Sequence, residues 1–96
     1  MFEDLDPLLH SRLRLKIMSI LISVESVEFS YLLEETVATK GNISVQITKL
    51  NDAGYIEVKK SFRKNYPLTT CKITAKGTEA FEKYVDTLSD YINRKK

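Results

Sequence analysis

The sequence is poor in the residues that mark many common protein classes. It has one cysteine, one histidine, two prolines, three glycines and no tryptophan in 96 residues. A lone thiol, Cys71, excludes an internal disulfide framework and fits a reducing compartment. So few prolines and glycines leave no stretch with the composition of a linker or a disordered tail. No apolar run approaches the roughly 20 residues that a membrane span requires. The opening MFEDLDPLL is acidic, whereas secretory and transit peptides begin basic. A cytoplasmic protein with no membrane partner is expected, folded as one domain over residues 1–96. Catalytic sets are equally scarce: there is no Ser/His/Asp or Cys/His arrangement and no glycine-rich phosphate loop. Cys71 and His10 alone make no metal cage. Neither an enzyme activity nor a cofactor is expected.

Charge is present, and unevenly placed. The formal net charge is only +2, yet residues 1–36 carry a net −4, residues 37–77 a net +6, and residues 78–96 balance. Positive charge gathered in the middle of the chain points to a polyanionic partner. Size matters too. A domain of this length buries only about 60–65% of its unfolded surface, so a second subunit would add to a modest core.

Hydrophobic periodicity divides the chain into elements. Asp6-Pro7 reads as a helix start, with Leu9, Leu13, Ile17, Ile20 and Leu21 forming one stripe through residue 23. Leu8, Leu15, Met18 and Ile22 form a second stripe on another side, which calls for a second packing partner. Residues 26–29 suit a brief strand. A short helix over residues 31–37 follows, capped by Ser30, with Leu32 and Leu33 inward. Thr39, with Asn42 as a rival start, then caps a helix over residues 40–53 whose Ile43, Ile47 and Leu50 form a core face, and Gly54 stops it. Residues 55–62 alternate as a strand, residues 63–67 form a polar turn, and residues 69–74 form a second strand with Cys71 and Ile73 inward. A fold at Asn65-Tyr66 would set Val58 opposite Ile73. Thr74 caps a last helix over residues 75–93. Its Phe81, Tyr84, Val85, Leu88, Tyr91 and Ile92 repeat at nearly 3.5 residues, as in a coiled-coil seam.

Helix, short strand, helix, helix, hairpin, long helix is the order of a winged helix-turn-helix, an α+β fold that is mainly α. In such a fold the second helix of the pair enters the DNA major groove. The helix over residues 40–53 has the required makeup: an apolar face turned inward, short polar groups outward, and its one acid, Asp52, at the far end. Thr39, Lys40, Gly41, Asn42, Ser44, Val45, Gln46, Thr48 and Lys49 are therefore candidate DNA contacts. Asn and Gln pair bidentately with adenine, and Val45 suits a thymine methyl. Gly41 lets the backbone come close to a phosphate at the positive end of the helix dipole. The basic wing over residues 59–68 adds Lys59, Lys60, Arg63, Lys64 and Tyr66, for the phosphate backbone or the minor groove. Leu8, Leu15, Met18, Ile22, Phe81, Tyr84, Val85, Leu88, Tyr91 and Ile92 are candidates for a homodimer interface. The competing reading is a winged-helix adaptor that binds protein and not DNA, for which a net +6 on the helix and wing has no use.

The segment Ile43-Ser44-x-Gln46-Ile47-x-x-Leu50-x-x-Ala53-Gly54-Tyr55-Ile56 is similar to the recognition-helix pattern of the ArsR family, with Gln46 where that family often has His. Thr74-Ala75-Lys76-Gly77 resembles the Thr-x-Lys-Gly that opens the last helix of MarR-like proteins. His10-Ser11-Arg12-Leu13-Arg14-Leu15 resembles the first helix of the small winged-helix branch. The resemblance runs from about Pro7 to Ile92. It implies a homodimeric transcriptional regulator bound to double-stranded DNA, with Ser44, Val45 and Gln46 among the base contacts and the basic hairpin as the wing. The ArsR metal signatures have no counterpart here.

Overall fold

The computed structural model describes residues 3–93. The elements are α1 (Arg12–Leu21), β1 (Val27–Glu28), α2 (Phe29–Thr36), α3 (Lys40–Asp52), β2 (Ile56–Arg63), β3 (Tyr66–Ile73) and α4 (Ala75–Ile92). The three strands form one antiparallel sheet in the order β1-β3-β2. This is the winged helix-turn-helix expected from the element order. None of its helices, among the described residues, is long and apolar enough to cross a membrane.

The first helix is shorter than its hydrophobic stripe. Asp6 and Pro7 open a turn and not the helix. The Asp6 carboxylate accepts from Leu8 N at 2.9 Å, and its carbonyl accepts from Leu9 N at 3.1 Å and His10 N at 2.9 Å. With those acceptors used locally, Ser11 becomes the cap: its backbone is extended, and its side chain accepts from Arg14 N. Leu9, expected on the first turn of the helix, still reaches the core from the preceding turn and is fully buried.

The helix pair is joined by a tight connection. Glu28 precedes α2 and Ser30 lies within its first turn, so the expected Ser30 cap is not made. Val37 ends α2 in the left-handed region at φ 55, donating its N–H to Leu33 O. Thr39 then caps α3 by accepting from Asn42 N at 3.1 Å, an interaction worth about 1 kcal/mol. Ile43, Ile47 and Leu50 are buried as expected. Gly54, at φ 80, closes the helix: its N–H bonds Asn51 O and Tyr55 N–H bonds Leu50 O, the paired pattern of a Schellman cap.

The hairpin differs from expectation by one residue in its turn and two in its register. Lys64 and Asn65, at φ 50 and 71, form a two-residue turn. Two consecutive left-handed residues match the strands' right-handed twist, and Asn is among the side chains that tolerate the conformation best. Tyr66 stays in β3, paired with Arg63. Val58 therefore faces Cys71, and Ile56 faces Ile73. The core gathers Leu9, Ile17, Met18, Leu21, Leu32, Ile43, Leu50, Ile56, Cys71 and Tyr84 where α1, α2, α3, α4 and the base of the hairpin meet. Each such aliphatic side chain contributes about 1.5–3 kcal/mol on burial.

Two side chains expected at a dimer interface belong to this core. Met18 is fully buried within the single subunit, and Tyr84 is 4% exposed. The Tyr84 hydroxyl pairs with His10 Nδ1 at 2.9 Å. The second stripe of α1 is thus partly spent on the subunit's own core. Beyond Tyr84, α4 keeps Thr87 buried and its Tyr91 hydroxyl donates to Glu3 O at 2.8 Å, and the molecule measures 58 × 25 × 21 Å.

Candidate nucleic-acid interface

Once Ile43, Ile47 and Leu50 anchor α3 inward, its other side chains divide into three groups. Lys40, Ser44, Thr48 and Asn51 border a groove toward the wing, where Val58, Lys60 and Thr69 form the opposite wall. Asn42 and Gln46 lie toward α1. Gly41 and Val45 stand between them, exposed, with Val45 half open to solvent at 50%. Lys49 is exposed in the last turn of the helix. An α-helix with its side chains is 10–12 Å across, so an exposed face of this kind matches the roughly 12 Å major groove of B-DNA.

The wing does not present its cations as one cluster. Strand alternation sends Ile56, Val58, Lys60 and Phe62 to the face that carries the core, and Glu57, Lys59, Ser61 and Arg63 to the other. Only Lys60 lines the groove beside α3. On the opposite face Arg63 donates to the Glu28 carboxylate at 2.9 Å, and Lys59 lies near Glu57, Thr70 and Lys72. Lys64 occupies the turn itself, and Tyr66 beside it is 75% exposed. The wing's positive charge therefore flanks its tip on both sides.

Two residues that the sequence reading passed over belong to this surface. Phe62 is 76% exposed, because the hairpin extends beyond the body that covers its base. It sits where the alternation would put a core residue, so the pattern alone does not distinguish it from one. Arg14 reaches across from α1. Its Nε donates to Leu8 O at 2.6 Å, and its Nη1 donates to Gln46 Oε1. Gln46 Nε2 in turn donates to Asn42 Oδ1 at 2.9 Å. Arg14 and Gln46 are 32 residues apart in sequence, and no local motif links them.

The remaining chemistry is structural. The Cys71 thiol is buried and its pKa is pushed up to about 11 by that burial, so it is held as the neutral, unreactive form. Tyr55 donates to Asp6 Oδ2 at 2.6 Å. Its pKa is raised to about 12 by burial first, then by this hydrogen bond and the carboxylate's charge. Among the described residues, no three His, Cys, Asp or Glu side chains come together as a metal site.

Comparison with known proteins places this geometry in a broader set. The sequence profile of the winged helix DNA-binding domain family matches residues 13–92. An uncharacterized protein of Methanocaldococcus jannaschii is 41% identical over 76 residues, which cover 79% of this chain and 83% of that protein. A transcriptional regulator homologue from Pyrococcus horikoshii OT3 superposes with a TM-score of 0.85 at 26% identity, covering 91% of this chain and 86% of its own. MarR from E. coli, in its oxidized form, gives a TM-score of 0.72 at 18% identity, over 92% of this chain and 62% of MarR. That last likeness is one of fold.

Proposed function

Because the chain belongs to the winged helix DNA-binding domain family, we propose that it is a transcriptional regulator of the small MarR-like kind that reads double-stranded DNA as a homodimer. The observation that carries this reading is the joint surface of α3 and wing. A helix with an exposed Asn, Ser, Val, Thr and Lys face lies beside a hairpin that carries Lys60 toward α3, Arg63 on its other face, and Lys64 and Tyr66 at its tip. In the proposed complex the first turns of α3 enter the major groove. Asn42, Ser44, Val45, Gln46 and Thr48 meet base edges, while Thr39, Lys40, Gly41 and Lys49 meet the flanking phosphates. The wing follows the backbone or the adjacent minor groove.

Dimerisation accounts for the apolar surface that one subunit leaves uncovered. Val85 is 43% and Ile92 72% exposed along α4, Phe81 and Leu88 are half-buried beside them, and Tyr91 lies on the same stretch with its hydroxyl bonded to Glu3 O. Leu8, Leu15 and Ile22 are likewise half-buried near α1. Pairing two subunits over α1 and α4 would cover these residues. It would also hold two copies of α3 about one DNA turn, or a multiple of it, apart.

Binding to duplexes of random sequence at low salt tests the reading, followed by titration of salt. Three or four cationic phosphate contacts per subunit give a slope of log affinity on log salt of roughly −5 to −7. No binding at low salt, or affinity independent of salt, refutes DNA binding and favours a protein-binding adaptor. Leu88→Asp is expected to yield monomers in sedimentation, and a variant that stays dimeric refutes the α4 interface.

A further inference from the structure

The hydrogen-bond chain from α1 to α3 has a fixed direction. Arg14 can only donate, so the Gln46 atom facing it must be the carbonyl oxygen. That orientation turns the Gln46 amide nitrogen toward Asn42, which must then accept with Oδ1. Each carbonyl oxygen of the pair already accepts a hydrogen bond inside the protein, Gln46 Oε1 from Arg14 and Asn42 Oδ1 from Gln46 Nε2, which leaves each one lone pair. What is left facing outward is N–H: both protons of Asn42 Nδ2, for which the described residues provide no partner, and the second proton of Gln46 Nε2. Bidentate recognition of adenine, the reading expected of Asn and Gln from sequence, needs one acceptor and one donor on the same amide. Here each amide's acceptor is turned toward a donor within the protein, whereas the Asn42 donors are not.

We propose that Arg14 is a specificity-determining residue. By locking Gln46 and Asn42 with their donors outward, it sets the α1 side of the recognition helix to read hydrogen-bond acceptors, and guanine in particular. Guanine offers two acceptors in the major groove, N7 and O6. Adenine sets its N6 amino group, a donor, against the Asn42 donors. Arg14 acts as a positioning residue, since the two amides and not the guanidinium meet the base. Its own anchor is Leu8 O, which holds Nε while Nη1 serves Gln46. The inference rests on the DNA-binding reading above and deepens it by naming the base chemistry of one contact.

Selection of bound sequences from a random duplex pool tests it, using the full chain. Asn42→Ala identifies the base position that this side chain reads, as the one whose preference collapses. At that position the wild type is expected to select guanine. Arg14→Met frees the two amides to turn, and the preference there is expected to move toward adenine by about tenfold or more, in line with the discrimination one bidentate contact provides. Arg14→Lys keeps a donor and is expected to keep guanine. Gln46→Glu gives a second route should Arg14→Met not fold. Its carboxylate still accepts from Arg14 but offers no proton to Asn42. The Asn42 amide then turns to donate inward and presents its carbonyl, so selection moves to a donor edge, adenine N6 or cytosine N4. Wild-type selection of adenine at the Asn42 position overturns the proposal, as does an unchanged guanine preference in Arg14→Met or Gln46→Glu. Absence of any DNA binding by the wild type is a different result: it overturns the DNA-binding reading itself.

Discussion

Gly41 and Gly77 occupy comparable places, each in the first turn of a helix, and the structure assigns them opposite responses to the same substitution. A Cβ on Gly77 would lie 2.0 Å from the carbonyl oxygen of Tyr55, 2.9 Å from its carbonyl carbon and 3.0 Å from Ile73 Cγ1. Two of those three atoms are backbone, and the oxygen already accepts from Thr74 N at 3.0 Å. Relief needs a shift of more than about 1 Å between α4 and the start of β2, against a normal contact of about 3.5 Å. The same junction holds Thr74 Oγ1 donating to Gly54 O at 2.6 Å and accepting from Gly77 N at 2.9 Å. Overpacking of this kind costs about 1–3 kcal/mol, and loss of one buried hydrogen bond adds about 1 kcal/mol. Better helix propensity returns at most about 1 kcal/mol. Gly77→Ala is therefore expected to destabilise by about 2–3 kcal/mol, lowering Tm by about 10–20 °C for a domain of this size. A Cβ on Gly41 meets nothing within 4 Å. Gly41→Ala is expected to stabilise by about 0.5 kcal/mol through helix propensity and a less flexible unfolded chain, and to weaken DNA binding where the helix backbone meets a phosphate. Thermal melts by circular dichroism, with titration of a labelled duplex, separate the two effects. A Gly77→Ala protein melting within about 2 °C of the wild type would falsify the packing argument.

Three further outcomes follow from single contacts. Glu28 holds Arg63 at 2.9 Å with both side chains exposed, 62% for Arg63 and 40% for Glu28, and in the proposed complex would have to release it for a phosphate. An exposed pair is worth about 0.2–1 kcal/mol, so Glu28→Gln should tighten DNA binding about 1.4- to 5-fold at low salt, by fluorescence anisotropy; unchanged or weaker binding contradicts this. Val37 is 88% exposed and left-handed, so Val37→Asn loses no packing and relieves strain; denaturant unfolding should show a gain of about 0.5–1 kcal/mol, and a lower midpoint refutes the strain. Tyr55 has its pKa raised in the fold to about 12, so its neutral form contributes stability that is complete below about pH 10 and is lost as pH rises through 12. The tyrosinate absorbance difference between wild type and Tyr55→Phe should titrate near pH 12, and a midpoint near 10 removes the Asp6 contact from the account.

Legibility in the sequence followed the range of the forces involved. The α3 helix is set by interactions within four residues: Thr39 bonding Asn42 N, the Ile43–Ile47–Leu50 stripe, and Gly54 in the left-handed region. The Thr74 cap is equally local. These were readable because the residues that need one another are neighbours in the chain. The start of α1 was misread for a local reason of a different kind. Asp6 and Ser11 are both competent caps, and the choice between them lies in where Leu9 and His10 must go to meet the core and Tyr84. The hairpin register was open for a similar reason. Residues 63–67 contain several plausible turns, and Lys64-Asn65 is selected by the pairing of the whole length of β2 and β3.

The dimer candidates show the same limit from the other side. A stripe records that a residue is buried, without recording by what, and Met18 and Tyr84 are buried in their own subunit while Val85 and Ile92 stay exposed on it. The recognition surface carries the deepest version of this ambiguity. Sequence supplies Asn42 and Gln46, whose amides are chemically symmetric choices between reading a donor and reading an acceptor. Their polarity comes from an arginine 32 residues away, on a helix packed against α3. In the proposed complex the candidate base contacts can be listed from one helix, and the polarity they would present to those bases depends on the helix packed against it.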